Sequence, residues 1–172
     1  CGVVGLRPSP GLIPRGPSEL PFNNITVEGP MARNVEDLAL FLDSMVGYCP
    51  NDPISKDRKG FLFSQKIEEP VSENIRIGYT KNFGIFPCSS EVEDMINNTA
   101  KLIQNMGHVI ENSHPSMEGA EECFQTLRAY NYYASYKSIY ESSKFQKVKE
   151  EVIWNIRKGK ELSVSKLINA EK

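Results

Sequence analysis

Two histidines, His108 and His114, and four cysteines, Cys1, Cys49, Cys88 and Cys123, are the candidates for nucleophilic or metal chemistry in this chain of 172 residues. The histidines are six apart, which is neither the i, i+4 spacing of one helix face nor the i, i+2 spacing of one strand face. No Cys-X-X-Cys pair occurs, and metal sites draw on such close ligand pairs. Reduced thiols in a cytoplasmic protein are therefore expected, with Cys1 read as a small buried hydrophobe. A Ser-His-Asp triad needs a histidine poised by a carboxylate and a serine on a strained elbow, yet there is no Gly-X-Ser-X-Gly. Neither a Walker motif nor Gly-X-Gly-X-X-Gly is present to cradle phosphate. Glu68-Glu69, Glu121-Glu122 and Glu150-Glu151 are adjacent pairs; neighbours on a helix diverge, so these read as solvated faces rather than acid/base pairs. No complete catalytic set, no metal and no cofactor is expected.

Tyrosine alone clusters. Tyr130, Tyr133, Tyr136 and Tyr140 recur at helical spacing, with Tyr132 beside them. Such a stripe can wall an aromatic pocket, form an oligomer face such as that of a homodimer, or pack half-buried on a core. Tyr130 and Tyr133 are the candidate substrate-binding residues.

The elements that must position these residues are readable from pattern. Val3-Val4-Gly5-Leu6 is a short apolar run that suits a buried strand. Arg7 to Pro21 holds five prolines and two glycines, which excludes helix and makes a stiff loop. Ile25-Thr26-Val27 is expected as a second short strand. Asn34 is an N-cap, followed by Val35, Leu38, Leu42 and Met45 at helical spacing, with Gly47 closing the helix in a left-handed turn. Residues 48–74 form a surface connection broken by prolines, with Phe61-Leu62-Phe63 attached to the core. Ile75 to Tyr79 alternates as a strand, and Ser90 with Glu93 forms a capping box. An apolar helix face then runs from Val92 to Met106 and stops at Gly107, and His108 to Glu111 is the next strand. This strand–helix–strand run has the size of a βαβ unit and indicates an α/β sheet covered by helices. From Met117 onward only helices are expected: one through Ala120 and Ala134, one from Phe145 to a stop at Gly159, and one capped at Leu162-Ser163.

Composition narrows the function classes. Twenty basic and 22 acidic residues give a net charge of −2, and the nearest thing to a basic patch, Arg157-Lys158-Gly159-Lys160, is short. Direct nucleic-acid binding is not expected. No apolar stretch approaches the length of a membrane span. The sequons Asn24-Ile25-Thr26 and Asn97-Asn98-Thr99 read as chance occurrences. The ends look cut, in mid-strand at Cys1-Gly2-Val3-Val4 and in mid-helix at Leu167 to Lys172.

The opening Cys1-Gly2-Val3-Val4-Gly5-Leu6-Arg7-Pro8, followed by Gly29-Pro30-Met31-Ala32-Arg33 and a helix with Asp37 near its start, resembles the amidase signature hydrolases. In that family the first segment follows a Gly-Gly-Ser-X-Arg-X-Pro stretch that carries the nucleophile. Weaker likenesses follow in order at Ile75 to Tyr79, at Leu102 to Val109 and at Ile156 to Ser163. The resemblance implies part of an α/β/α layered amidase fold with a mixed sheet and helices on both faces, helical after about residue 117. Residues 1–115 would be its α/β core portion and 117–172 its helical portion, in one partial domain truncated at both ends.

The same resemblance implies amide hydrolysis by a serine–serine–lysine set, and all three residues with their oxyanion loop would precede Cys1. Catalytic residues within this chain are therefore expected to be none, and the piece alone is expected to be inactive. Val3 to Leu6 would support the nucleophile loop, while loop 7–30 and the helices after 117 would border the substrate pocket. Arg33 could clamp a substrate carboxylate or tie the Pro30 turn to nearby carbonyls or an acidic residue. The leading expectation is an amidase acting on a small linear amide. The alternatives are the glutaminase subunit of a tRNA-dependent amidotransferase, acting on glutamyl-tRNA(Gln) or aspartyl-tRNA(Asn), and a non-catalytic binding module. Those glutaminase subunits typically carry Asp-Gln-Ile-Gly-Pro where this chain has Thr26-Val27-Glu28-Gly29-Pro30.

Overall fold

A computed structural model describes residues 2–72 and 74–172, save the Lys144 side chain. The reading of Cys1 lies outside the described residues. The chain divides into two compact units, Cys1–Glu69 with Cys123–Lys172, and Pro70–Glu122.

In the first unit, β1 (Val4–Gly5) and β2 (Met31–Ala32) pair antiparallel, with Val4 opposite Ala32 and Gly5 opposite Met31. The Leu6 N–H extends the pairing to the Pro30 carbonyl at 3.2 Å. Gly29 passes so close that a Cβ there would stand 2.0 Å from the Leu6 carbonyl oxygen. Val3, Val4 and Leu6 are exposed, against the expectation of a buried strand, because two strands alone leave both faces open. Ile25 to Val27 is not a strand. Arg7 Nη2 donates to the Ile25 carbonyl at 3.1 Å and Arg15 Nη1 to the Thr26 carbonyl at 2.9 Å, so guanidinium groups stand where a partner strand would.

Helix α1 (Val35–Met45) starts as expected: Asn34 Oδ1 accepts from the Asp37 N–H at 2.7 Å. Asn34→Ala should lower stability by about 1 kcal/mol, read from a denaturant midpoint. Leu38, Ala39 and Leu42 form its buried face against β1, β2 and a short helix α2 (Phe63–Lys66). The helix ends on an extended Val46 whose N–H reaches the Leu42 carbonyl, and Gly47 follows at φ +152°.

Asp43 of α1 holds the start of α2. Its carboxylate accepts from the Phe63 N–H at 2.7 Å, the Ser64 N–H at 3.0 Å and the Ser64 hydroxyl at 2.6 Å. Desolvation pushes this carboxyl up, but the Ser64 and Phe63 hydrogen bonds, helped by Arg58, outweigh it and hold it below the usual carboxylate value. A group depressed in the folded state adds stability above its unfolded pKa and loses it as pH falls through its folded pKa. Acidification should therefore cost the native protein more stability than Asp43→Asn, in denaturation curves taken at neutral pH and at about pH 3.

Helices α4 (Ala120–Tyr140), α5 (Glu150–Lys160) and α6 (Val164–Glu171) follow, with a short 3-10 turn at Ser143–Lys147. Phe145 belongs to that turn and not to α5, and its ring stacks edge-on against Tyr140 at 4.8 Å. Ser163 caps α6, accepting from the Lys166 N–H. Gly159 lies inside α5 and does not end it: a Cβ there would stand 2.1 Å from the Ala129 carbonyl oxygen and 2.5 Å from Tyr133 Cβ. The glycine marks the crossing of α4 and α5, next to the fully buried Ile156. Arg128 Nε donates to Asn155 Oδ1 at 3.1 Å across the same pair of helices.

The second unit is the expected βαβ run. β3 (Arg76–Tyr79) and β4 (Val109–Asn112) pair parallel, with Ile77 opposite Ile110, and α3 (Ser90–Asn105) connects them. The N-cap is Ser89 rather than Ser90, and Glu93 pairs with Lys81 at 3.1 Å instead of closing a capping box. Gly107, at φ +92°, turns the chain out of α3. Among the described residues the strands make two separate pairs, one antiparallel and one parallel, and residues after 117 are helical as expected.

Candidate functional site

The stiff loop after β1 is built onto the 49–56 segment. Asp52, nearly buried, accepts from the Arg15 N–H at 2.7 Å and the Ile54 N–H at 3.1 Å. Gly11 and Gly16 let the two backbones touch: a Cβ on either would stand about 2 Å from the carbonyl oxygen of Ile54 or Asn51. Arg15 spans the loop, pairing with Glu28 at 3.2 Å as well as with the Thr26 carbonyl. The loop is therefore fixed by side chains rather than by a sheet.

Its outer turn, residues 20–25, is closed by Asn23 N–H on the Leu20 carbonyl at 3.1 Å and by Ile25 N–H on Asn23 Oδ1 at 2.9 Å. This turn faces α4 across a cleft of about 250 Å³. Phe22, Asn23 and Asn24 line one side, Leu127, Tyr130 and Asn131 the other, and Glu171 of α6 also reaches it. A cleft with aromatic walls and a few polar groups suits a small organic molecule.

The two candidate tyrosines part here. Tyr130 lines the cleft, whereas Tyr133 is not among its lining residues and sits against Gly159 at the α4–α5 crossing. The Tyr132 and Tyr136 rings meet at a tilt with centroids 5.6 Å apart, and Lys160 lies over Tyr140, so the stripe serves several contacts. Arg33 is exposed and makes no hydrogen bond or ion pair among the described residues. The tying role considered for it belongs to Arg7 and Arg15. Phe22 and Glu171 are not readable as site residues from pattern; the one available signal is a large aromatic inside a proline-rich turn.

Among the serine hydroxyls, Ser64 donates to Asp43, Ser44, Ser55 and Ser142 donate to backbone carbonyls, and Ser18, Ser55, Ser89, Ser116 and Ser163 accept from backbone N–H groups. No cluster of three metal-ligating side chains occurs among the described residues. Among them, too, no helix is long and apolar enough to cross a membrane. A family model described as Amidase matches residues 1–169. The chain belongs to the Amidase family. Its curated relatives include the A subunit of the glutamyl-tRNA(Gln) amidotransferase of Nitrosomonas eutropha, 34% identical over 128 residues, covering 74% of this chain and 26% of the relative. The corresponding protein of Legionella pneumophila is 34% identical over 107 residues, covering 62% of this chain and 22% of the relative. The chain thus spans about a quarter of the length of these relatives. Among solved structures, a bacterial aryl acylamidase of the amidase signature family superimposes with a TM-score of 0.77 at 21% identity, over 95% of this chain and 36% of that one. A 6-aminohexanoate cyclic dimer hydrolase bound to substrate gives 0.79 at 21% identity, over 99% and 38%. These neighbours share the amidase signature fold.

Proposed function

We propose that this chain is the scaffold and part of the substrate-bordering wall of an amidase that hydrolyses the C–N bond of a small linear amide. The observation that carries this reading is the family match over nearly the whole chain. The chemistry follows the family pattern. A serine hydroxyl attacks the amide carbonyl while its proton passes through a bridging serine to a lysine. The C–N bond breaks, the amine departs with a proton, backbone amides hold the oxyanion, and water releases the acid. The residues for these steps lie outside residues 2–172. This chain holds the β1–β2 pair that supports the nucleophile loop, and the Tyr130 cleft that borders the substrate.

A second reading, the glutaminase component of an amidotransferase, is favoured by the names of the sequence relatives. Glu28 supports the stand-alone reading: it stands where those glutaminases typically carry an apolar residue, and it pairs with Arg15. The full-length protein, assayed with aliphatic amides, aryl amides and glutamine, should release amine or ammonia from simple amides without partner subunits. Turnover of glutamine alone, and only with partners and tRNA present, would favour the second reading.

A further inference from the structure

We infer that Arg15 is a positioning residue for the substrate: its guanidinium sets where the 20–25 turn stands, and with it the width of the Tyr130 cleft and the bulk of the amide accepted there. The turn's own hydrogen bonds fix its shape and close it on residues 18–25. Its exit is held from outside, by Arg7 Nη2 on the Ile25 carbonyl and Arg15 Nη1 on the Thr26 carbonyl. Arg15 Nε also donates to Glu28 Oε1 at 3.2 Å, so the planar group meets two acceptors and takes one orientation. The base of this arm is firm. The Arg15 N–H is held by the nearly buried Asp52 at 2.7 Å, and the next residue, Gly16, lies against the Asn51 carbonyl with no room for a Cβ.

Without that arm the turn has room to move. Leu20, Pro21 and Asn23 line the cleft, and the same three residues line a smaller cavity of about 20 Å³ whose other walls include Asn51 and Asp52. A shift of the turn toward residues 51–54 closes this cavity and widens the 250 Å³ cleft facing α4. Arg15 and Thr26 also border the small cavity, so their contact is the strut that keeps the turn out. The strut is open to solvent, with the Arg15 side chain 32% and that of Glu28 59% exposed. An ion pair so exposed adds little to global stability. Its contacts therefore set a position more than they hold the fold together. With the strut in place, the apolar walls at Leu20, Phe22, Leu127 and Tyr130 suit an unbranched alkyl arm better than a ring.

This inference rests on the amidase reading for what the cleft holds in turnover; the placement of the turn stands apart from it. The test follows the Tyr130 ring resonance, assigned by Tyr130→Phe, while the full-length protein is titrated with 1-hexanol or with cyclohexylmethanol. The native protein should favour hexanol. Arg15→Met and Glu28→Met both leave the backbone bond to Asp52 in place. Arg15→Met should move the ratio of the two affinities roughly fivefold toward cyclohexylmethanol, and Glu28→Met should move it less in the same direction. The double variant should shift it no further than Arg15→Met alone, since both act through one guanidinium. An unchanged ratio in Arg15→Met that is folded by circular dichroism would overturn the inference. Should that variant not fold, an unchanged ratio in Glu28→Met would do so, as would the absence of any Tyr130 shift with either alcohol. In parallel, kcat and KM are measured for hexanamide and cyclohexylacetamide, and the KM ratio should follow the affinity ratio. A shifted affinity ratio with no amide turned over would sink the amidase reading and leave the role of Arg15 standing. Turnover with the same KM ratio in the native protein and Arg15→Met would do the reverse.

Discussion

Replacing Gly159 with alanine should destabilise this protein by about 2 kcal/mol or more, although alanine is the better helix former by about 1 kcal/mol at an unconstrained helical site. The sign inverts because the new methyl would stand 2.1 Å from the Ala129 carbonyl oxygen and 2.5 Å from Tyr133 Cβ. One of these atoms is backbone and cannot rotate away, so α5 must move off α4. That movement opens the packing around Ile156 and Ala129, both buried, and pulls Asn155 from Arg128. Denaturant unfolding should show the loss as a lower midpoint. Ala129→Gly should not rescue it, since the clash is with the carbonyl of that residue and not with its side chain.

Gly29→Ala is the second large effect. A methyl there would stand 2.0 Å from the Leu6 carbonyl oxygen and 3.1 Å from Pro8 Cδ. The pairing of Leu6 N–H with the Pro30 carbonyl, which extends β1–β2, cannot persist at that separation. Pro30 is fully buried, so the turn has little room to shift. A cost of about 2–3 kcal/mol is expected, the scale of overpacking against fixed atoms. If β1 supports a nucleophile loop in the longer protein, the same substitution should lower kcat for amide hydrolysis even where the fold survives. Amide turnover and circular dichroism on one sample separate the two effects.

Much of this architecture is legible in the sequence because local rules agree with the tertiary answer. Asn34, the apolar positions of α1, the β3–α3–β4 run and Ser163 all carry signals that need no knowledge of a distant partner. The failures share the opposite property. Gly159 reads as a helix stop from its own neighbours; only the α4 backbone at Ala129 shows it as a contact. Ile25 to Val27 has strand composition, yet Arg7 and Arg15 take the carbonyls that a strand would need. Ser90 reads as the cap because Glu93 follows three residues on, yet the helix is capped by Ser89 and Glu93 turns to Lys81. Within the candidate site Tyr130 is legible from the helical stripe, whereas Phe22 and Glu171 come from a loop and a helix end far apart in sequence.

On the proposed function, this chain scaffolds amide hydrolysis while the nucleophile lies elsewhere in the protein. The direct measurement is release of amine from a simple amide by the purified 172-residue chain and by the full-length protein at equal concentration. Turnover by the full-length protein alone is the predicted result. Steady turnover by the 172-residue chain, at a rate that follows its concentration through purification, would contradict the account.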